Sequence, residues 1–475
     1  MRRAGRCLRA LAAAAVVVLA LAACQSTPVT PPVLELPTAT GVQLDLSRWW
    51  TAFDDPTLTA LVEEALENNL DLQAAMARID LARANVLFAS SRLYPSVDLG
   101  VGAHRSRSSQ VGVQPLPTGL DPVSNGYSAG LFASYEVDLW GRFRNATDAA
   151  RSELLATEYA RQTVRTTVAA ETGRAYFGLL AADALVDLLR ETLKSRDATV
   201  ALQTDLYDAG IIGDYDLQRA QAERAAVAAD VAVAERADAN LESALAALLG
   251  RSPREVFAPK VSRDVVQARL LAVPGVPEGL PSDMLERRPD VRQAEAQLAA
   301  ASLRIDAARA QYFPNLALTA SYGSESAALS NLFSGPALVW GIGASLLQPL
   351  IGTKAIEANV QAETARREAA IVGYTQAVQG AFRETHDALV ANRTTRDALA
   401  AQSERVRRLQ GSLELADVRY RAGYSGYIDV LDAQRQLLQA QTLQIVAARD
   451  VRFALIDLAK AMGGGWEYRD AIATR

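Results

Sequence analysis

Cysteine is nearly absent from this chain, which has two examples in 475 residues, Cys7 and Cys24. Because Cys7 lies in a segment that we expect to be cleaved off, the mature protein has no pair of thiols. This excludes a disulfide framework and a metal site made of neighbouring cysteines. Histidine is equally scarce, with only His104 and His386, and no phosphate-binding, nucleophile or metalloprotease motif stands in a supporting context. We therefore expect no metal site and no cofactor, and we predict that the protein is not an enzyme.

An excess of positive charge is also missing, since the formal net charge is −5, which argues against a nucleic-acid partner. Proline is absent from residues 123–252 and after Pro349. Long proline-free stretches rich in alanine and charged residues are typical of helices, and we predict helices over residues 57–92, 144–208, 214–250, 283–311, 354–421 and 427–462. A helix over 144–208 would be roughly 98 Å long, so its apolar face requires a coiled-coil-like or tubular assembly.

The first 23 residues have the pattern of a secretory signal, in which arginines precede an apolar run over Ala10–Ala22 that is too short to span a membrane well. The run ends in Leu21-Ala22-Ala23-Cys24, and small residues before a cysteine match the bacterial lipoprotein box. We predict that Cys24 becomes the lipid-modified first residue of the mature chain, tethered to the outer membrane rather than spanning it. The alternative is an ordinary cleavage site beside an incidental cysteine.

The chain contains one internal repeat of about half its length. The segment Leu66–Leu99 matches Leu285–Leu318 at a shift of 219 positions (285 minus 66), and Tyr207–Gln221 matches Tyr420–Gln434. We therefore expect two repeats of the same architecture. The predicted organisation is a signal over 1–23, an anchored segment over 24–56, a first repeat over 57–250, an equatorial linker over 251–282, a second repeat over 283–463 and a tail over 464–475.

Between the first two helices of each repeat, apolar residues alternate with small or polar ones, over 97–104, 127–139, 316–322 and 338–346. This alternation predicts strands, in hairpins over 96–139 and 315–350. Their lengths suit tilted strands that cross a bilayer, with apolar side chains facing lipid and small polar ones facing a lumen. Four strands cannot close a barrel, and open edges do not persist in lipid, so two copies would give eight strands and three would give twelve. The alternative is a soluble sheet.

Several motifs occur in a fixed order along the two repeats. They are Trp49-Trp50, Phe53, Asp55-Pro56, Leu58 and Leu61 near the start, Asp138-Leu-Trp-Gly-Arg142, Leu285-Glu-Arg-Arg-Pro-Asp290, and Tyr420, Gly423 and Asp429-Val-Leu-Asp-Ala433. Together they resemble the TolC-like outer-membrane factors, in the NodT subgroup of efflux outer-membrane lipoproteins, over essentially all of residues 24–463.

The resemblance implies a mainly α fold with a membrane β-barrel part. In a homotrimer, four strands per chain would complete a twelve-stranded barrel in outer-membrane lipid, and the long helices would form an α-helical barrel in the periplasm. The resemblance also implies two partners, a periplasmic adaptor protein and an inner-membrane pump of the RND type. The channel itself would conduct passively.

The same resemblance implies a gate at the helix–turn–helix tips, over Ala209–Gly213 and Ala422–Gly426, where glycine permits the positive φ that reverses a helix. The implied gate residues are Asp429 and Asp432 as an acidic ring, Ile428 as an apolar constriction and the equivalent Asp216, with Tyr207, Tyr420, Gly210 and Gly423 in tip packing. Acidic rings favour cations. Alternatively, the aspartates only stabilise a first helical turn. Ser425 stands where TolC itself has a basic clamp, so that clamp is not expected in the same form.

Two other functions share parts of this pattern. The exit duct of a type I protein-secretion system would have the same fold, whereas a helical structural lipoprotein without a pore would have no membrane strands. The favoured function is the outer-membrane exit duct of a tripartite efflux pump. Antibiotic, solvent, metal-ion and metabolite export all fit the sequence.

Overall fold

The computed structural model describes residues 47–111, 119, 121–258 and 288–464. The predicted signal and the predicted lipidation site, Cys24, lie outside the described residues. So do the first part of the 24–56 segment, most of the 251–282 linker and residues 465–475 of the tail.

Each repeat has the same order of elements, which is a helical start, two strands, a very long helix and a second helix. The elements are α1 (Pro56–Asn68), α2 (Leu70–Ser91), β1 (Ser96–Arg107), β2 (Val123–Val137), α3 (Arg142–Asp208), α4 (Asp214–Leu248), α5 (Pro253–Phe257), α6 (Pro289–Arg309), β3 (Asn315–Ser326), β4 (Leu338–Leu347), α7 (Lys354–Arg421) and α8 (Tyr427–Ala461). The predicted fold class is confirmed, since the chain is mainly helical and duplicated, with four strands among the described residues. No helix in the described part of the chain is long and apolar enough to cross a membrane.

The prediction of a single helix over 57–92 is wrong, because this stretch forms two helices separated at Asn69. Asn69 has an extended backbone, with φ −60° and ψ 132°. Its side-chain oxygen accepts hydrogen bonds from the backbone N–H groups of Asp71 at 2.9 Å and Leu72 at 3.3 Å, which caps the start of α2. Its amide nitrogen donates to the carbonyl of Leu248, the last residue of α4, at 2.9 Å. The break therefore joins the start of one helix to the end of another.

In the second repeat, Arg288 lies 219 positions after Asn69 and likewise binds the end of a helix. Its guanidinium donates to the carbonyl of Ala461, the last residue of α8, at 3.0 Å. Burial opposes its charge, but hydrogen bonds and ion pairs with Asp290 and Glu384, each at 2.7 Å, hold the pKa of Arg288 above its ordinary value. The helix predicted over 283–311 begins at Pro289, because proline is favoured at the first helical position and disfavours helix in the residue before it.

The described residues group into two compact units, one of residues 79–156 and 294–374 and the other of the remainder. The first unit contains one antiparallel sheet in the order β1-β2-β3-β4. Residues directly opposite each other in such a sheet point to the same face. The register aligns Leu99 with Leu131, Leu131 with Tyr322, and Tyr322 with Trp340, so these four side chains form one apolar row across all four strands.

The register divides the sheet into two unlike faces. The apolar face carries Val97, Leu99, Val101, Ala103, Val123, Tyr127, Ala129, Leu131, Ala133, Tyr135, Val137, Leu316, Leu318, Ala320, Tyr322, Leu338, Trp340, Ile342, Ala344 and Leu346. The polar residues Arg105, Arg107, Asn125, Ser324 and Ser326 share this face at the end of the sheet where β1 and β3 end and β2 begins. The small-residue face carries Ser96, Asp98, Gly100, Gly102, His104, Gly126, Ser128, Gly130, Phe132, Ser134, Glu136, Ala317, Thr319, Ser321, Gly323, Glu325, Val339, Gly341, Gly343, Ser345 and Leu347. The alternation read from the sequence therefore persists across all four strands.

The motif Asp138-Leu-Trp-Gly-Arg142 ends the first hairpin in the same unit. The Trp140 indole N–H donates to the Pro314 carbonyl at 2.8 Å, and its ring stacks on Phe313 with centroids 4.7 Å apart. Arg142 pairs with Glu136 at 2.9 Å. These contacts join the ends of β2 and β3, so the motif fixes the point where strand gives way to helix.

The second unit has its main core around the N-terminal motif. Trp49 and Trp50 are buried against α3, α4 and α8 in a cluster with Leu58, Val62, Tyr176, Leu179, Leu245 and Ile456. Asp55 caps α1 through the backbone N–H groups of Thr57 and Leu58, and it also accepts a hydrogen bond from the Tyr176 hydroxyl at 2.8 Å. The buried Arg452 guanidinium lies 5.4 Å from the Phe177 ring, and burial lowers its pKa to about 10.

Candidate functional site

The two helix tips have the same backbone geometry. Gly210 has φ 69° and Gly423 has φ 78°, in the left-handed region that favours glycine. In the first tip, Gly210 N–H bonds the Tyr207 carbonyl at 2.9 Å and Ile211 N–H bonds the Leu206 carbonyl at 2.9 Å. The second tip repeats both bonds, from Gly423 to Tyr420 and from Tyr424 to Arg419. This is the Schellman arrangement that ends a helix, so each tip reverses the chain in a defined way.

The helix that leaves each tip begins after a second glycine. Gly213 precedes α4 and Gly426 precedes α8, both with extended backbone. Asp216 and Asp429 lie in the first turns of these helices, where a carboxylate is favoured by the helix dipole. The structure therefore places the predicted aspartates where either proposed role, capping or pore lining, is sterically open.

The second tip is built around Tyr427, the first residue of α8. Tyr427 is buried with Val430, Leu431 and Ala220 in a local core, and its ring lies 5.9 Å from that of Tyr420. The Gln203 amide nitrogen, on α3, lies 3.3 Å from the Tyr420 hydroxyl and donates to it. The helices α3 and α4 form a first helical hairpin, and α7 and α8 form a second. The predicted tip tyrosine Tyr420, on α7, thus contacts both the first hairpin, through Gln203, and its partner helix α8, through Tyr427.

A buried arginine provides a second link between the same two helical hairpins. Arg196 on α3 is only 3% exposed and donates to the side-chain carbonyl of Gln434 on α8. Burial lowers the pKa of Arg196, although the neighbouring Tyr427 hydroxyl acts in the opposite direction. Burial likewise raises the pKa of Tyr427, with Arg196 opposing the rise. The bond from Arg196 to Gln434 therefore connects α3 to α8 in the interior, where loss of either partner would leave a buried polar group unsatisfied.

The opposite side of α8 faces outward with the predicted gate residues. Ile428 is 45% exposed, and Asp429 and Asp432 are both exposed, three positions apart on one helix face. The Asp432 carboxylate accepts a hydrogen bond from Gln436 at 2.6 Å. An apolar side chain and two carboxylates are therefore presented together, away from the buried Tyr427, Val430 and Leu431.

The two tips differ in the side chains that they offer. Asp216 is half-buried, whereas its counterpart Asp429 is exposed. Tyr207 is 42% exposed in the single chain, so its predicted packing against a neighbouring coil stays a prediction. The Ser425 hydroxyl is buried and makes no hydrogen bond with the described residues.

Four contributors to the second tip were missed in the sequence, namely Arg196, Gln203, Tyr427 and Gln434. One signal was available for Tyr427. The tip segments match at a shift of 213 positions, so Tyr427 is equivalent to Asp214 (427 minus 213). An exposed acidic residue in the first tip is therefore replaced by a buried aromatic residue in the second. Arg196 and Gln203 lie on α3 before the first tip, and Gln434 is the last residue of the repeated segment Tyr420–Gln434. As polar residues within helical patterns, these three carry no comparable signal.

Comparisons with known proteins fit this geometry. The model of the outer membrane efflux protein family matches residues 61–251 and 280–464, which cover nearly all of the two repeats. The solvent efflux pump outer membrane protein SrpC of Pseudomonas putida is 34% identical over 417 residues, 87% of this chain and 86% of that protein. The pyoverdine export outer membrane protein OpmQ of Pseudomonas putida is 32% identical over 460 residues, 94% of this chain and 96% of that protein.

A solved structure has the same fold along nearly its whole length. The Campylobacter jejuni CmeC outer membrane channel superimposes with a TM-score of 0.85 at 27% sequence identity, covering 92% of this chain and 95% of that one. The similarity therefore extends over the sheet-bearing and the tip-bearing parts of the chain.

Gly423→Ala and Gly411→Ala test the tip geometry as a matched pair. Alanine at position 423 must adopt φ 78°, whereas Gly411 is inside α7 with open space where a Cβ would lie. We expect Gly423→Ala to destabilise the tip by about 1 kcal/mol, seen by mass spectrometry as roughly fivefold faster amide hydrogen exchange at residues 422–424. Gly411→Ala should leave this exchange unchanged or slow it, because alanine favours helix. Equal acceleration by both variants would contradict the assigned cap.

Proposed function

The chain belongs to the outer membrane efflux protein family and is the outer-membrane channel of an efflux system, and we propose that three copies of it form the exit duct of a tripartite pump. The observation that carries this proposal is the sheet. It is apolar on one face, small and polar on the other, and open at both edges.

The open edges supply the reason for three copies. Among the described residues, β1 and β4 each pair on one side only. An unpaired row of backbone N–H and C=O groups is too costly in lipid, where no water can satisfy it. Three copies of a four-stranded sheet give twelve strands, and β4 of one copy beside β1 of the next closes the ring. The closed ring then has no edge.

The two faces of the sheet fit this arrangement. On the apolar face, Leu99 is 72% exposed, Trp340 70% and Ile342 82% in the single chain. Side chains of this kind are stable against lipid and unfavourable in water over so wide a patch. The small-residue face would then line a water-filled pore. A structural lipoprotein without a pore offers no explanation for this two-faced sheet.

The helix tips form the gate in this proposal. Around a threefold axis, Ile428, Asp429 and Asp432 would form an apolar ring and two acidic rings, with Asp216 contributing from the first tip. Apolar rings resist water and acidic rings attract cations. Gly210 and Gly423 make the turns, and Tyr207 and Tyr420 pack the tips.

Two contacts replace the basic clamp that Ser425 does not supply. They are the buried bond from Arg196 to Gln434 and the bond from Gln203 to Tyr420. Both connect α3 to the second helical hairpin, formed by α7 and α8 of the same chain. Opening of the tip would move this hairpin, so these bonds favour the closed arrangement until a partner binds.

The partners proposed here are a periplasmic adaptor protein and an inner-membrane pump of the RND type, which supplies the energy. The matched relatives act in solvent efflux and pyoverdine export, which favours small-molecule cargo over the type I secretion of proteins. Because these two cargoes differ greatly, the duct is proposed to be broadly permissive, with selection made by the pump.

Loss of both exposed carboxylates tests the gate. We expect the double variant Asp429→Ala with Asp432→Ala to change single-channel conductance in planar bilayers, because it removes fixed negative charge from the pore. Block by hexamminecobalt from the periplasmic side should weaken about tenfold, equivalent to about 1.4 kcal/mol. Asp214→Ala, in the first tip, is the control and should keep wild-type block. Recordings of the double variant that match wild type would remove these aspartates from the pore.

The lipid anchor is proposed at Cys24, with no other cofactor. We expect the intact mass of the mature wild-type protein to include acyl chains on this residue. Cys24→Ser should lose that mass while keeping the same oligomeric state in detergent, because tethering is separate from folding. A wild-type mass without lipid at Cys24 would show that the anchor is wrongly assigned.

A further inference from the structure

One large aromatic side chain interrupts the small-residue face of the sheet. Phe132 is the one phenylalanine on that face, and half of it is exposed. Its ring leans over Gly100 on β1, where an added Cβ would come within 2.9 Å of the ring. The glycine therefore leaves room for the ring to lie flat along the sheet, with one side open.

An acidic side chain stands directly beside this ring. Asp98 is paired with Phe132 in the register of β1 and β2, so their Cβ atoms lie about 5 Å apart on the same face. Glu136 on this face is paired with Arg142 at 2.9 Å, whereas the Asp98 side chain is exposed and its carboxylate makes no ion pair or hydrogen bond with the described residues. On the small-residue face as defined above there is no lysine or arginine.

The same two residues help to line a shallow depression. Its volume is about 420 Å³, and its other lining groups include the hydroxyls of Ser134, Thr319 and Ser321. Gly341 and Gly343, which have no side chain, also line it. It therefore combines an aromatic surface, an unpaired carboxylate and a rim of hydroxyls.

We propose that Phe132 and Asp98 form a weak binding site for flat aromatic cations within the exit part of the pore, one site per copy. The inference rests on the proposed function, because it requires the small-residue face to line the lumen. A cation over an aromatic face is attracted by the ring, and the nearby carboxylate adds charge complementarity. The site is open and shallow, which suits a pore, where binding must be weak enough to let the cargo leave.

Block of single channels in planar bilayers tests the site. Ethidium, a flat aromatic cation, is added on the barrel side and compared with tetrabutylammonium, which is a cation without a ring. We expect stronger block by ethidium in wild type. Phe132→Leu should weaken ethidium block roughly two- to fivefold, since leucine keeps the bulk and loses the ring. Tetrabutylammonium block should weaken less, because that cation is attracted by the ring but has no flat surface to stack on it. Asp98→Asn should weaken block by both cations.

The matched control is Tyr322→Leu, which removes an aromatic ring from the apolar face of the same sheet and should keep wild-type block. Normal conductance with ethidium block unchanged in both Phe132→Leu and Asp98→Asn would overturn the site while leaving the channel intact. Equal loss in Tyr322→Leu would also overturn it, because the effect would then follow general disturbance of the sheet. A wild-type protein that forms no channel would overturn the proposed function and this site with it.

Discussion

The unpaired edges of the four-stranded sheet are the constraint on which the rest of the structure depends. A sheet that is apolar on one face suits lipid, and lipid offers no water for the free backbone groups of β1 and β4. Closure with other copies removes that cost. Once closure is required, the small residues on the opposite face have a function, since they would leave an open lumen.

The internal repeat supplies much of this architecture twice, and the two repeats differ at a few positions. Asn69 and Arg288 occupy equivalent positions and each donates to the last carbonyl of a returning helix, one with an amide and the other with a buried guanidinium. Both tips also use the same left-handed glycine. The two tips differ at Tyr427, which is buried at the position where the first tip has the exposed Asp214. That one exchange gives the second tip its own core, held by Arg196 and Gln203.

Most strands and long helices could be predicted from the sequence, because their patterns depend on residues close together in the chain. The alternation on either side of Leu99 and Leu318 fixed the two faces of the sheet, and the proline-free stretches gave the ranges of α3 and α7. Asn69 broke a predicted helix because its side chain competes with the backbone as a cap, an effect that periodicity does not register. The bond from Arg196 to Gln434 spans 238 positions, so no local pattern could reveal it. The register that sets Asp98 beside Phe132 also depends on pairing between strands, although alternation placed both residues on one face.

The central claim is that two further copies of the same chain complete the sheet. Native mass spectrometry of the mature protein in detergent tests it most directly. The account predicts a species of three copies, which supplies twelve strands from the four in each chain. A species that stays monomeric, or that contains two copies, would contradict it, because the tip rings and the lumen described above all require threefold closure.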